Sequence, residues 1–225
     1  MFKKIKQVIV HTVAAGLIAS ILITPNVTYA DATPAVLGKT IGEWSEKWWQ
    51  WALAAPASSN PMIDNTGANC NVSQKGAVWF LAGVWGGGTV ERNCTIPNGK
   101  YILFPIANNF WLNSVDTPDL KETDWRQLAN DFLPPSIGGD LEATLNGTPI
   151  IFNPKIPIIR SQSPVFTAKF PDENIFELPT DILTGFPIVS DGFWVMLPPL
   201  EPGLHVLHFR AGTSQNVTYH LTVAN

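Results

Sequence analysis

Hydrophobic residues recur at helical spacing between residues 40 and 56, in the sequence TIGEWSEKWWQWALAAP. Thr40 and Glu43 have the spacing of a capping box, and Pro56 is a residue that ends helices. At 3.6 residues per turn, positions i, i+3, i+4 and i+7 share one face of a helix. The pattern therefore predicts an amphipathic helix with one apolar face, formed by Ile41, Trp44, Trp48, Trp51, Ala52 and Ala55.

Four of the nine tryptophans of the chain lie within this helix, and two interpretations compete for them. The first is burial, because large indole rings can anchor a short N-terminal segment on the rest of the fold. Trp49 lies beside the apolar face rather than on it. The second interpretation is that this ring stays exposed and stacks on a sugar or a membrane headgroup. The exposure of Trp49 decides between the two.

A second helix is predicted from Pro118 to Phe132. Thr117 is a suitable N-cap, and proline is well tolerated at the first helical position. After this helix, from Asp140, the hydrophobic period changes to two, which is typical of strands with one buried face. Asn146-Gly147 then gives the signal of a two-residue hairpin turn.

Further short apolar runs are separated by prolines, which favour sheet edges and turns and exclude long helices. The segments on either side of Pro97-Asn98-Gly99 are predicted to pair with each other as a hairpin. The predicted strands outside the C-terminal hairpin are 77–83, 89–96, 100–107, 141–145, 148–152, 165–170, 175–178 and 192–197.

The last two strands of the chain predict a hairpin with a defined register. Residues 204–210 and 216–223 both alternate, and pairing their apolar faces fixes which residues lie opposite each other. His205 then faces the core, whereas His208 and His220 lie diagonally on the polar face. The predicted pairs are Phe209 with Val217, Leu207 with Tyr219, and His205 with Leu221.

Short strands with frequent proline and glycine punctuation, and only two helices, predict a mainly β fold. The expected architecture is an antiparallel β-sandwich of the jelly-roll or immunoglobulin-like kind. It carries the N-terminal tryptophan-rich helix and one further short helix.

The first thirty residues have the features of a secretory signal peptide. A basic start with three lysines precedes the apolar residues 8–23, and Ala30 ends a small-residue cleavage motif. Cleavage is expected after Ala30, with Ala32 as the alternative. The apolar run is shorter than the roughly 20 residues of a spanning helix, so no stable membrane span is expected after cleavage. Residues 31–225 would then form a single secreted or periplasmic β-rich domain.

The charge balance excludes one class of partner. The chain has 14 Lys and Arg against 18 Asp and Glu, a formal net charge of −4. Removal of residues 1–30 takes away three lysines and no acid, so the net charge becomes −7. An acidic chain of this kind lacks the basic surface that binds nucleic acid, or anionic lipid by charge alone.

Cys70 and Cys94 are the two cysteines of the chain. In an exported protein an even pair is typical of a structural disulfide. Their spacing does not match a zinc signature, and the pair is not a redox Cys-x-x-Cys motif. A bridge closing this loop would stabilise the fold by roughly 3 kcal/mol.

The motifs of common catalytic and cofactor sites are missing from the sequence. It contains no Gly-x-Ser-x-Gly, no His-Glu-x-x-His, no Walker loop and no dinucleotide glycine pattern, so no cofactor is expected. Glycoside hydrolysis needs only two carboxylates and leaves no local motif. Glu142, Asp191 and Glu201 are the candidates for that alternative, and each is equally well explained as a solvated turn or strand residue.

The histidines near the C-terminus are weak candidates for a metal site. His205 and His208 are three apart in a predicted strand, so they point to opposite faces and cannot share an ion. His208 and His220 share the polar face, but the hairpin supplies no third ligand. No metal is therefore expected.

Three long motifs resemble an exported bacterial protein family of uncharacterised function. They are TIGEWSEKWWQW near the predicted mature start, YILFPI at residues 101–106, and SDGFWVMLPPLEPGLH at residues 190–205, accompanied by the two cysteines. The resemblance covers most of the mature chain. It implies export and a single domain, and it carries over no catalytic residue.

These observations favour a binding protein over an enzyme. The aromatic richness, the export signal and the missing catalytic motifs predict a secreted, disulfide-bonded β-sandwich that binds a glycan or another cell-surface component. Trp49, Trp85 and Trp111 are the residues expected to contact that ligand. The alternatives are a secreted carbohydrate-active enzyme with paired carboxylates and a structural or assembly protein of the cell envelope. The sequence leaves the oligomeric state open.

Overall fold

The computed structural model describes residues 35–115, 117–131, 133, 140–150 and 157–225. The predicted signal peptide, residues 1–30, lies outside these ranges and stays a prediction. Two α-helices and nine strands occur in the described residues, besides two short 3-10 helices at Ala57–Ser59 and Thr180–Ile182. In chain order they are α1 (Ile41–Leu53), β1 (Val78–Phe80), β2 (Gly88–Ile96), β3 (Tyr101–Leu112), α2 (Glu122–Asp131), β4 (Leu141–Leu145), β5 (Thr148–Pro149), β6 (Ile159–Gln162), β7 (Ile188–Leu197), β8 (Gly203–Ala211) and β9 (Gln215–Val223).

The capping box predicted for α1 is present. The Glu43 amide donates to the Thr40 hydroxyl at 3.2 Å, and the Thr40 amide donates to the Glu43 carboxylate at 2.7 Å. Two N–H groups that have no partner within the helix are thereby satisfied. The helix ends at Leu53, three residues before Pro56.

The strands form two sheets. One has the order β1-β3-β7-β6 and the other the order β2-β9-β8-β4-β5. The mainly β class and the two-sheet arrangement are as predicted. Each sheet also contains one parallel pair, β1 with β3 and β2 with β9. Periodicity could not reveal these pairs, because alternation reports the face of a residue and not the direction of its neighbouring strand.

Two apolar cores lie on the two faces of the four-stranded sheet. The first fills the space between the sheets, where Phe104 of β3 stacks on Phe209 of β8 with ring centroids 4.9 Å apart. The second lies between the four-stranded sheet and α1, where Trp48 meets Trp194 of β7 at 5.5 Å. Burial of these large rings is the main stabilising contribution.

The register predicted for the C-terminal hairpin is confirmed. Phe209 lies opposite Val217, Leu207 opposite Tyr219, and His205 opposite Leu221. The predicted Asn146-Gly147 turn is also present, with both residues at positive φ, and it connects β4 to β5. This backbone conformation is the one that Asn-Gly favours in two-residue hairpins.

The hairpin predicted across Pro97-Asn98-Gly99 is wrong. Both segments are strands, but β2 pairs with β9 and β3 pairs with β7, so the turn passes from one sheet to the other. β2 pairs along its whole length with β9, and β3 pairs along nearly all of its length with β7. A local turn signal does not contain that information.

Four further predicted elements need correction. The segments 165–170 and 175–178 are loops rather than strands, apart from one bridge between Phe166 and Ile188. The strand predicted at 77–83 is limited to β1. The second helix begins at Glu122 rather than Pro118, because the Lys121 amide is capped by the Asp124 carboxylate at 2.8 Å. Phe132, its predicted end, lies outside the described residues.

The predicted disulfide between Cys70 and Cys94 is present, with a Cα–Cα distance of 5.8 Å. It ties the long loop after α1 to β2. Within the described residues, no helix is long and apolar enough to cross a membrane.

Candidate functional site

The tryptophans of α1 are largely buried, as the first interpretation of the helix predicts. Trp48 and Trp51 are 1% and 7% exposed, and Trp44 is half-buried. The indole N–H of Trp48 donates to Leu81 O at 2.9 Å and that of Trp51 to Val72 O at 2.8 Å. These hydrogen bonds satisfy the polar ends of the rings, so the apolar face of the helix anchors it on the rest of the fold.

Trp49 is not the exposed ring that the second interpretation proposed. It is 3% exposed and packs against Trp48 at 5.0 Å and Phe110 at 4.6 Å. The prediction failed because β3 extends far enough for Phe110 to cover the flank of the helix. A helix period identifies one buried face and cannot show that a neighbouring element covers the side as well.

A cleft of about 630 Å³ lies beside this helix. Its walls come from the loop between β1 and β2, from the middle of β3, and from the turn between β8 and β9. The lining combines indole rings, side-chain amides, one carboxylate, one guanidinium and several glycines. The described lining residues are Trp48, Trp49, Met62, Gly83, Val84, Trp85, Gly86, Gly87, Ala107, Asn108, Asn109, Leu133, Asp140, Arg210, Ala211, Gly212, Thr213, Ser214 and Gln215.

A bulge in β3 helps to form the cleft. The register of β3 on β7 shifts between Pro105 and Ala107, so Ile106 has no partner residue in β7. Such a bulge re-aims the side chains that follow it. Asn108 and Asn109 come directly after the shift and lie on the cleft wall.

Two buried N–H groups of the cleft wall have no hydrogen-bond partner among the described residues. They are Nε1 of Trp49 and Nδ2 of Asn108. An unsatisfied buried donor costs about 1–3 kcal/mol, so such groups are uncommon in folded proteins. Both groups are donors with almost no accessible surface.

The charged residues of the cleft are Asp140 and Arg210. Arg210 is already engaged, since its Nε lies 3.3 Å from a Glu142 oxygen and its Nη2 forms an ion pair with the same carboxylate. Hydrogen bonding to Arg210 lowers the pKa of Glu142, and hydrogen bonding to Glu142 raises the pKa of Arg210. Asp140 is exposed, lines the cleft and interacts electrostatically with Arg210.

The structure brings two of the three predicted ligand-binding tryptophans to one place. Trp49 and Trp85 both line the cleft, and Trp85 is half-buried with its ring against Phe176 at 5.2 Å. Trp111 lies on β3 opposite Val189 and is not part of the cleft lining. Ligand contact by these residues stays a prediction.

The three carboxylates considered for glycoside hydrolysis are not in the described cleft lining. Asp191 is 2% exposed on β7 and interacts with Arg160 at 3.3 Å and Gln162 at 3.1 Å. Glu142 is paired with Arg210, and Glu201 is exposed just before β8.

The histidines lie on the predicted faces of the sheet. His220 pairs with Glu91 at 2.5 Å and His208 with Asn216 at 2.7 Å, both on the uncovered face of the five-stranded sheet. The described residues contain no group of three side chains that could hold a metal ion. His205 is half-buried rather than core, because it lies where β8 begins and contacts Asn146 at 3.1 Å.

The polar residues of the cleft were missed at the sequence level. Asn108 and Asn109 did carry a signal, since they interrupt the apolar run YILFPIANNFWL. Asp140, Arg210 and Gln215 carried none, because their importance depends on which loops meet in space. Comparison with protein-family models, curated proteins and solved structures finds no match for this chain.

Proposed function

We propose that this chain is an exported binding protein that takes a glycan or a similar polyhydroxylated cell-surface component in the cleft beside α1. The observation that carries the proposal is the cleft itself, which places Trp85 next to amide and carboxylate side chains. Its volume of about 630 Å³ lies within the range of small-molecule sites in proteins.

The chemistry of the lining suits a sugar. An indole ring offers an apolar face for the C–H side of a pyranose, while its polar neighbours orient the hydroxyls. The Asp140 carboxylate and the side-chain oxygens of Asn108 and Asn109 are acceptors for the hydroxyls of a sugar. Sugar hydroxyls both donate and accept, so they can meet these acceptors.

The electrostatics favour a neutral ligand. Arg210 is paired with Glu142, and Asp140 is the carboxylate in the described part of the cleft lining. The excess of acidic residues over basic ones in the whole chain also repels anionic partners. A neutral or amino sugar is therefore the better match than a uronic or sialic acid.

The test is a binding screen followed by a matched pair of variants. The processed protein recovered after export is applied to a glycan array and to cell-wall preparations, and the Kd of the best ligand is measured by calorimetry. Trp85→Ala is expected to weaken binding by about 2 kcal/mol, roughly thirtyfold in Kd, because an aromatic anchor is lost.

Trp111→Ala is the control, since it removes a half-buried tryptophan that does not line the cleft. It should leave the Kd within about twofold of wild type, a change of roughly 0.4 kcal/mol. If neither the array nor the cell-wall pull-down retains the protein, the glycan assignment is abandoned. If Trp111→Ala weakens binding and Trp85→Ala does not, the cleft is the wrong site.

The enzymatic alternative has less support. Hydrolysis by paired carboxylates requires two carboxyl groups about 5–10 Å apart. Asp140 is the one carboxylate in the described part of the cleft lining.

A further inference from the structure

The segment Ala82–Val84 leads from β1 to Trp85, and it belongs to no described strand. Its backbone polar groups are satisfied by side chains of the opposite sheet instead of by a neighbouring strand. The Val84 amide donates to the Gln215 side-chain oxygen at 3.0 Å, and the Ala82 amide donates to the Tyr219 hydroxyl at 3.2 Å. Buried backbone groups need such partners.

Arg92 satisfies the carbonyls of the same segment. Its Nη1 donates to Ala82 O at 2.7 Å and to Gly83 O at 3.1 Å, while its Nε donates to Asp64 O at 2.7 Å. Arg92 is 1% exposed, and its Nη1 also reaches the Tyr219 hydroxyl at 2.8 Å. The guanidinium therefore fixes the segment to the loop after α1.

Gln215 connects three walls of the cleft. It begins β9, its oxygen accepts from Val84 in the loop, and its Nε2 donates to Ile106 O at 2.5 Å. Ile106 is the residue that the bulge in β3 leaves without a pairing partner. The bulge leaves Ile106 without a paired residue, and the Gln215 amide donates a hydrogen bond to the Ile106 carbonyl.

The loop between β1 and β2 passes close to the turn that precedes Gln215. A side-chain carbon added at Gly87 would clash with the backbone carbonyl of Ser214, and one added at Gly83 would lie 2.6 Å from the Gln215 side-chain oxygen. A backbone carbonyl cannot move aside as the end of a side chain can, so glycine at position 87 allows this close approach. The loop is also held by a bond from the Gly88 amide to Ser214 O at 2.9 Å.

We infer that Gln215 is a positioning residue of the cleft, which sets the place of the Trp85 ring through the Val84 amide and the Ile106 carbonyl. This inference rests on the proposed function for its biological meaning, because Trp85 is the expected sugar-stacking ring. The geometry itself can be tested without any ligand.

The test replaces the Gln215 amide with a carboxyl group of nearly the same shape. In Gln215→Glu at pH 8, the carboxylate still accepts a hydrogen bond from the Val84 amide. It has no proton to donate to Ile106 O. Burial raises the pKa of such a carboxyl, and protonation restores a donor. Gln215→Met lacks both hydrogen bonds at every pH.

The readout is ¹⁹F NMR of protein labelled with 5-fluorotryptophan, with the Trp85 signal assigned from Trp85→Phe. In Gln215→Glu the Trp85 signal is expected to move at pH 8 and to return toward the wild-type position at pH 5. In Gln215→Met it should stay displaced at both pH values. The Trp51 indole is hydrogen-bonded to Val72, so its signal should not move.

Two controls separate this effect from other titrations. Asp140 lies in the same cleft, and a wild-type titration between pH 8 and pH 5 shows any movement of the Trp85 signal that does not come from residue 215. Gln127→Glu introduces the same charge at an exposed position on α2 and should leave the Trp85 signal in place.

An unchanged Trp85 signal in both Gln215 variants would overturn the inference. So would a joint displacement of the Trp85 and Trp51 signals, since Gln215 would then support the fold as a whole. If a glycan is found, Gln215→Glu should bind it about tenfold more weakly at pH 8 than at pH 5. Failure of all glycan binding, with the Trp85 result intact, would reject the proposed function and leave the positioning role in place.

Discussion

At the scale of single residues, Asp64 shows how the loop after α1 is held. Its carboxylate accepts from the amides of Thr66 and Asn69, each at 2.8 Å. Burial by itself raises the pKa of this group, but the hydrogen bonds from Asn69, Thr66 and Gly67 together outweigh burial and lower the pKa below the ordinary value of 3.8. The folded state therefore favours the ionised form of the Asp64 carboxylate.

A lowered pKa makes stability depend on pH in one direction. The contribution of Asp64 is fully present above its unfolded pKa, near 3.8, and is lost as the pH falls through the lower folded value. Asp64→Asn should be less stable than wild type at pH 6, and the difference should shrink between pH 4 and pH 2. Thermal unfolding at a series of pH values measures this. A difference that stays constant with pH would contradict the assigned role.

Some single-residue roles were accessible from sequence and others were not. The burial of Trp48 and Trp51 follows from helical spacing, because the apolar face of a helix must be covered. The burial of Trp49 depends on Phe110, some sixty positions later in the chain. No local pattern contains a contact of that range.

At the scale of elements, the ends of α1 are set by its own sequence. Both hydrogen bonds of the capping box between Thr40 and Glu43 are present. Thr40→Ala is expected to reduce the free energy of unfolding by about 1 kcal/mol, because a first-turn N–H loses its acceptor.

Thr123→Ala is the matched control, since Thr123 lies exposed within α2 and has no capping role. Alanine has the higher helix propensity, so this change should leave stability equal or slightly greater. Urea denaturation of both variants measures the difference. Equal stabilities for the two would show that the cap contributes nothing.

The faces and register of strands were predictable wherever alternation was strong. The pairing of β8 with β9 follows from matching apolar faces, since a slip of one residue would turn every apolar side chain outward. The partner of β2 was not predictable. A parallel neighbour such as β9 lies far along the chain, and the adjacent turn at Pro97-Asn98-Gly99 suggested β3 instead.

At the scale of the whole molecule, the disulfide links the loop that follows α1 to β2 of the five-stranded sheet. Shortly after Cys70, the carbonyl of Val72 accepts a hydrogen bond from the Trp51 indole N–H. The side chain of Gln74 then accepts a hydrogen bond from the amide of Phe80 in β1. Opening the bridge should therefore release an attachment of α1 as well as the loop.

Replacing both cysteines by serine should lower the free energy of unfolding by roughly 3 kcal/mol. The measurement is the guanidinium midpoint of the oxidised wild type against Cys70→Ser/Cys94→Ser. Addition of reductant should lower the midpoint of the wild type and leave that of the double variant unchanged. A double variant as stable as the oxidised protein would show that packing alone holds this loop.

The cleft could be predicted only in part, because it is assembled from separate parts of the chain. The aromatic side chain of Trp85 was the basis for expecting it to contact a ligand. Its meeting with Asn108, Asp140 and Arg210 depends on the topology of two sheets. The sequence indicated the kind of side chain that would contact a ligand, and the fold determines which of them lie together.

The central claim is that the cleft beside α1 holds the ligand, and ¹⁹F NMR of 5-fluorotryptophan protein during a titration tests it most directly. With the best glycan from the array, the signals of Trp85 and Trp49 should shift in proportion to occupancy, while those of Trp111 and Trp125 stay in place. Shifts confined to Trp111 or Trp125, with Trp85 unmoved at saturation, would contradict the account.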